Sequence, residues 1–180
     1  AGTVEQEQPR TMLRVTEPIC LQSGDAMIAA FPSHQPGMHV VFDLDYGEAS
    51  HRIERQTQAW NSENADYSKE VAPARTFSLK EEAEALQEQG LCTHLSPSEM
   101  LVIGEDGPIE NTYRFENEPA RHKILDIIGD LYLAGGHIQG RIVASRSGHS
   151  LNRQLCAAII EQHKASKRRT LASTSSEMNV

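Results

Sequence analysis

Four side chains in the second half of the sequence have the types and spacing to do chemistry: His122, Asp126, Asp130 and His149. The first three stand at four-residue intervals within "RFENEPARHKILDIIGDLYLAGG", Arg114 to Gly136. Residues four apart on a helix share a face, so one imidazole and two carboxylates form a single stripe. An imidazole and a carboxylate at that spacing can direct their ligand atoms at one ion, as helical His-x-x-x-His zinc sites do. A hydrolytic zinc takes three protein ligands and keeps a position open for water, so His122 and Asp126 amount to two-thirds of a site. Asp130, one turn further on, is too far along the axis for direct ligation and better suits orienting another group. The alternative is a solvated helix face, and spacing alone makes that the commoner outcome, because short motifs often match by chance.

His149 is the second feature. It falls in "ASRSGHSLN", a Ser-Gly-His-Ser turn between an apolar strand pattern and a helical one. At a helix N-terminus the dipole disfavours an added proton, whereas a nearby carboxylate favours it. Such a histidine can donate a proton or stabilise an oxyanion; alternatively, it merely caps the helix or fills the turn. The other histidines, His34, His39, His51, His94, His137 and His163, have no spacing that singles them out.

The elements that must position these groups are legible in the apolar pattern. Ile124, Leu125, Ile127, Ile128, Leu131 and Leu133 give the His122 segment a helical period, with Asn117 as N-cap, Pro119 in the first turn and Gly135-Gly136 at the close. "FSLKEEAEALQEQGL" reads as a helix with Ser78 and Glu81 as a capping box, Leu79, Ala83 and Leu86 as its seam, and Gly90 at C′. "SLNRQLCAAIIEQHK" is a last amphipathic helix whose seam is Leu151, Leu155, Ala158 and Ile159. Strand patterns occupy "RTMLRVTEPICLQ", "AMIAAFP", "EMLVIGEDGPI" and "HIQGRIVAS". "HVVFDLDYG" alternates, with Val40, Phe42, Leu44 and Tyr46 opposed to Asp43 and Asp45. Strand pairs alternating with a few helices predict an α+β two-layer domain. Residues 1–9 and 164–180 are polar and aperiodic and are expected to be disordered tails, leaving 10–163 as the folded domain.

Composition narrows the functional classes. A chain of 180 residues suits one domain with a real core. A net charge of -8 argues against a general nucleic-acid binder, and the one basic cluster, "KASKRR", lies in the C-terminal tail. Cys20, Cys92 and Cys156 are odd in number and widely spaced, which suits reduced thiols in a cytoplasmic protein rather than a disulfide framework or a zinc-thiolate motif. No apolar run approaches a membrane span.

"PARTF" (Pro73 to Phe77), "RHKILDIIGDLYLAG" (Arg121 to Gly135) and "SRSGHSLN" (Ser145 to Asn152) occur in order. Together they resemble the second domain of the UDP-3-O-acyl-N-acetylglucosamine deacetylases, zinc hydrolases of the committed step of lipid A synthesis. The similarity runs from about Arg14 to His163. It implies a two-layer β-α sandwich with a small inserted strand-helix-strand element, the C-terminal half of a two-domain enzyme. It further implies Zn2+ as cofactor, with His122 and Asp126 as two of its three ligands, and Asp130 supporting a catalytic His149. The resemblance assigns Thr76 a hydroxyl facing the oxygen of the tetrahedral intermediate. Lys123 and Phe77 are assigned to substrate contact in the sugar-binding cleft.

In that family the first domain contributes the third ligand, a histidine, and an adjacent glutamate as general base. No adjacent His-Glu pair occurs in this sequence. The resemblance therefore implies a C-terminal fragment, inactive or nearly so alone, whose partners are the acylated UDP-sugar and the missing first domain. A second departure is "THLSPSEM", where many members carry a Gly-Gly-Ser-Leu-Asp-Asn type segment; His94, Leu95 and Pro97 leave the acyl-chain preference open, with Leu91 and Met100 as candidate lining residues. A non-catalytic binding protein retaining the fold is the rival reading, but decay of the site would have removed some of His122, Asp126, Asp130, Thr76 and His149.

Overall fold

The computed structural model describes residues 7–91 and 99–177. Its main sheet contains β1 (Met12–Arg14), β2 (Ile19–Ser23), β3 (Ala26–Phe31), β4 (Met38–Leu44), β5 (Gln56–Asn61) and the long β9 (His137–Ser145). A smaller sheet holds β6 (Phe77–Leu79), β7 (Leu101–Gly104) and β8 (Gly107–Pro108). The helices are α1 (Tyr67–Glu70), α2 (Lys80–Glu88), α3 (Glu118–Tyr132) and α4 (His149–Glu177). The strand-helix-strand run β6-α2-β7 forms the expected insertion, its two strands parallel. The segment "THLSPS" falls outside the described residues.

β9 organises the main sheet. It pairs parallel with β4 on one side, and on the other side pairs with β1 along its first three residues and antiparallel with β3 thereafter. Its alternate residues Ile138, Ile142 and Ala144 are buried, as are Val40, Phe42 and Leu44 of β4. A strand sends successive side chains to opposite faces, so β4 and β9 present an apolar face on the same side of the sheet. Against it lie Ile124, Ile127 and Leu131 of α3 and Leu151, Leu155 and Ile159 of α4, all in one hydrophobic cluster. Full burial of each such side chain is worth about 1.5–3 kcal/mol, enough for the packed layer to hold both helices in place. At Gly140 an added Cβ would come within 2.7 Å of Val15, so the close passage of the chain after β1 requires glycine there.

Three local expectations are corrected. The helix after "PARTF" starts at Lys80 rather than Ser78, because Phe77–Leu79 pairs with β7. Its cap is Glu82, which accepts from Leu79 N at 3.0 Å and from Ser78 Oγ at 3.1 Å; Glu81 instead meets Arg52 at 2.8 Å. The final helix continues through residues 164–177, where the sequence suggested a disordered tail, and Arg169 stands 3.7 Å from Glu17. β5 has no counterpart in the sequence reading. Its inward positions include Gln56 and Gln58, whose side-chain oxygens accept from Ala120 N at 3.2 Å and Asn117 Nδ2 at 2.6 Å, so polar groups stand where apolar ones would mark a strand.

Candidate metal and acid-base site

One face of α3 carries His122, Asp126 and Asp130, as their spacing requires. His122 and Asp126 are largely buried, their side chains 13% and 10% exposed. His122 Nε2 lies 3.3 Å from Asp126 Oδ1. Two atoms that ligate one tetrahedral zinc at about 2.1 Å each stand about 3.4 Å apart, so this separation fits a shared ion. His122 Nδ1 faces Ala74 O at 3.1 Å; a carbonyl only accepts, so Nδ1 carries the hydrogen and Nε2 keeps its lone pair on the Asp126 side. Burial holds the His122 pKa below its ordinary value despite the Asp126 charge, favouring the neutral, ligating form. Among the described residues no cluster of three metal-ligating side chains is formed.

Asp126 is contacted from two further directions. Lys123 Nζ donates to its Oδ2 at 3.2 Å, and His149 Nε2 lies 3.9 Å from its Oδ1. His149 opens α4, and its other nitrogen, Nδ1, lies 2.7 Å from Asp130 Oδ2. The turn that delivers His149 is set by Arg146, whose left-handed φ of 52° is held by ion pairs to Asp45 at 2.8 Å and Asp25 at 3.2 Å. Phe77, at the start of the inserted element, sets its ring edge-on to His122 at 6.1 Å, with Lys123 Nζ 5.4 Å from the same ring. Thr76 is exposed beside it, its backbone fixed by Leu101 N donating to its carbonyl at 2.8 Å. A cleft of about 380 Å³ opens beside Lys123, bordered by Tyr46, Gly47, Arg146 and Gly148.

Two contributors escaped the sequence reading. The carbonyl of Ala74 is invisible to any residue-type argument. Asn152 is buried; its Nδ2 donates to Asp130 Oδ2 at 3.0 Å, and its Oδ1 accepts from the buried Ser147 hydroxyl at 2.8 Å. Ser147 and Asn152 flank His149 in "SGHSLN", and a polar pair framing a candidate acid-base residue was the available signal.

A largely buried His122–Asp126 pair, spaced as two ligands of one ion would be, stands beside the His149–Asp130 hydrogen bond on a two-layer α+β scaffold, an arrangement that makes this the candidate site of a metal-assisted hydrolase. The chain belongs to the UDP-3-O-acyl N-acetylglycosamine deacetylase family, whose model matches residues 1–161. It is 36% identical over 166 residues to the UDP-3-O-acyl-N-acetylglucosamine deacetylase of Cellvibrio japonicus, covering 92% of this chain. The match takes in 54% of that relative, so the chain spans about half the length of the curated protein it resembles.

Proposed function

We propose that this chain is the metal-ligating half of a zinc-dependent hydrolase that removes the N-acetyl group from an acylated UDP-N-acetylglucosamine, in the cytoplasm and on the route to lipid A. The observation that carries this is the convergence of His122 Nε2 and Asp126 Oδ1 at 3.3 Å beside the His149–Asp130 pair at 2.7 Å. Zinc bound there would polarise the amide carbonyl and make its water acidic. His149, with Nδ1–H donated to Asp130 at 2.7 Å, presents Nε2 to the reacting group; in its doubly protonated form the Nε2–H would stabilise the oxyanion and then pass to the departing amine, leaving the neutral ring still bonded to Asp130. Thr76 offers a hydroxyl to the same oxygen. Lys123 and Phe77 hold the sugar and its substituents in the adjoining cleft, fixing the amide against the catalytic groups.

The third ligand and the general base come from the part of the protein that the shorter span does not cover. A groove of about 800 Å³ along α3 supports such a neighbour. It is lined by Met12, Tyr67, Leu125, Ile128 and Tyr132, and the last is 54% exposed; an apolar surface of this kind marks a contact face. The test is turnover of acylated UDP-N-acetylglucosamine by this chain alone and by this chain mixed with the remaining half of the Cellvibrio relative. Turnover in the mixture only is the expected result. Turnover by the chain alone would contradict the division of the site, and none in either would contradict the hydrolase reading.

A further inference from the structure

Among the described residues the two charged residues that are buried are Arg75 and Glu118, and neither belongs to the chemistry above. Glu118 is the first residue of α3 and is 0% exposed. Its carboxylate accepts from Arg75 N at 3.0 Å, Arg75 Nε at 2.9 Å, Arg75 Nη2 at 3.1 Å and Arg114 N at 2.6 Å. Arg75 completes its fork on Asn111 Oδ1 at 2.8 Å and Thr112 O at 2.7 Å. Desolvation offsets much of what such a pair gains, and an apolar pair of similar volume often serves stability as well. Orientation is the better explanation.

The oriented object is one peptide group. Its N–H belongs to Arg75 and points at Glu118 Oε1; its C=O belongs to Ala74 and lies 3.1 Å from His122 Nδ1. In a planar trans peptide these two groups point to opposite sides. Glu118 and His122 are four residues apart on α3, so one helix face grips both ends of this peptide. Reversing the peptide would aim the Ala74 oxygen at the Glu118 carboxylate, acceptor against acceptor, with no hydrogen between them. The buried carboxylate thus dictates which way the carbonyl points, and the carbonyl dictates which imidazole nitrogen is protonated.

We propose that the Arg75–Glu118 pair is a positioning element that fixes His122 as its Nδ1–H tautomer, leaving Nε2 free for a metal. The proposal rests on reading His122 as a ligand, but the tautomer it specifies exists without metal. Partners that orient metal-bound histidines in this way are known to matter at the level of tens of fold in affinity.

The experiment is long-range 15N–1H correlation NMR of the histidine rings in this chain, metal-free and well above neutral pH. Three forms are compared: unmodified, Glu118→Gln, and the double variant Arg75→Met/Glu118→Met. The Gln amide can turn its NH2 toward a reversed carbonyl; the double variant removes both buried charges and keeps the comparison readable should the single one unfold. A single Nδ1–H form of His122 is expected in the unmodified chain, giving way to a mixture in a folded variant, while His149 keeps its Asp130-bound form. An unmodified His122 protonated on Nε2 would overturn the proposal. So would a pure Nδ1–H His122 in the folded variants, and so would a change at both histidines together, which is general loosening. Zinc titration of the unmodified chain joined to the other half of the relative tests the ligand reading separately. Absence of zinc with a shifted tautomer would remove the metal and leave the positioning intact.

Discussion

His149 and Asp130 are joined through the imidazole nitrogen turned away from Asp126: Nδ1 lies 2.7 Å from Asp130 Oδ2, whereas Nε2 lies 3.9 Å from Asp126 Oδ1. The ring therefore spans two carboxylates one turn apart on α3. With its hydrogen committed to Asp130, the nitrogen next to Asp126 is the one available for proton transfer. His149 is itself 59% exposed, so the buried partners rather than its own packing hold it in place.

Replacing His149 by Ala should leave the metal bound and slow turnover of the chain joined to the remaining half of the Cellvibrio relative by about two to four powers of ten. Metal analysis alongside kcat checks both parts. Full activity in His149→Ala would remove it from the mechanism.

Asn152→Ala should destabilise the chain by about 1–3 kcal/mol, because the buried Ser147 hydroxyl loses its acceptor and Asp130 loses a donor. Urea unfolding followed by circular dichroism measures this. The same variant should lower kcat more than KM, since the released Asp130 carboxylate no longer holds His149 in register. An unchanged unfolding midpoint would mean that the pair is not buried as described.

Acid should expose the Arg75–Glu118 pair. Burial alone would raise the Glu118 pKa, but the Arg75 guanidinium and the two backbone N–H groups outweigh it and hold the carboxyl below its ordinary 4.5. The unfolded chain therefore binds the proton first, and stability rises with pH through this window. The contribution is complete above 4.5 and is lost as pH falls through the lower folded value. Glu118→Gln should cost about 3–5 kcal/mol near neutrality, because it leaves a buried guanidinium without its counter-charge. The gap between the two proteins should narrow as the pH falls below the ordinary carboxylate value. A gap constant with pH would show that the carboxylate is not the source.

Truncating the core beneath the site tests the scaffold. Ile124 is 0% exposed and shares its helix face with Ile127 and Leu131, all packed on the sheet. Ile124→Ala should cost about 2–5 kcal/mol in urea unfolding. A loss under about 1 kcal/mol would contradict the packing of α3 on the sheet.

Much of this was legible in the sequence, for reasons tied to period. β4 shows its alternation because Val40, Phe42 and Leu44 are all buried in the apolar cluster beneath the helices. The stripe of His122, Asp126 and Asp130 is a consequence of helical geometry alone. β5 was hidden because Gln56 and Gln58 turn inward to meet the start of α3, a pairing set by residues some sixty positions away. Glu118 reads as an ordinary acidic first-turn residue; its burial depends on Arg75, which reaches it only after the chain has folded. Ser78 and Glu81 matched a capping pattern, yet strand pairing with β7 claimed the first of those turns.

The most direct test is zinc stoichiometry by metal analysis of the chain joined to the remaining half of its relative, comparing the unmodified protein with His122→Ala, Asp126→Ala and His149→Ala. One zinc in the unmodified protein and in His149→Ala, with loss in the other two, is the expected result. Retained zinc in His122→Ala or Asp126→Ala would contradict the assignment of the α3 pair as metal ligands.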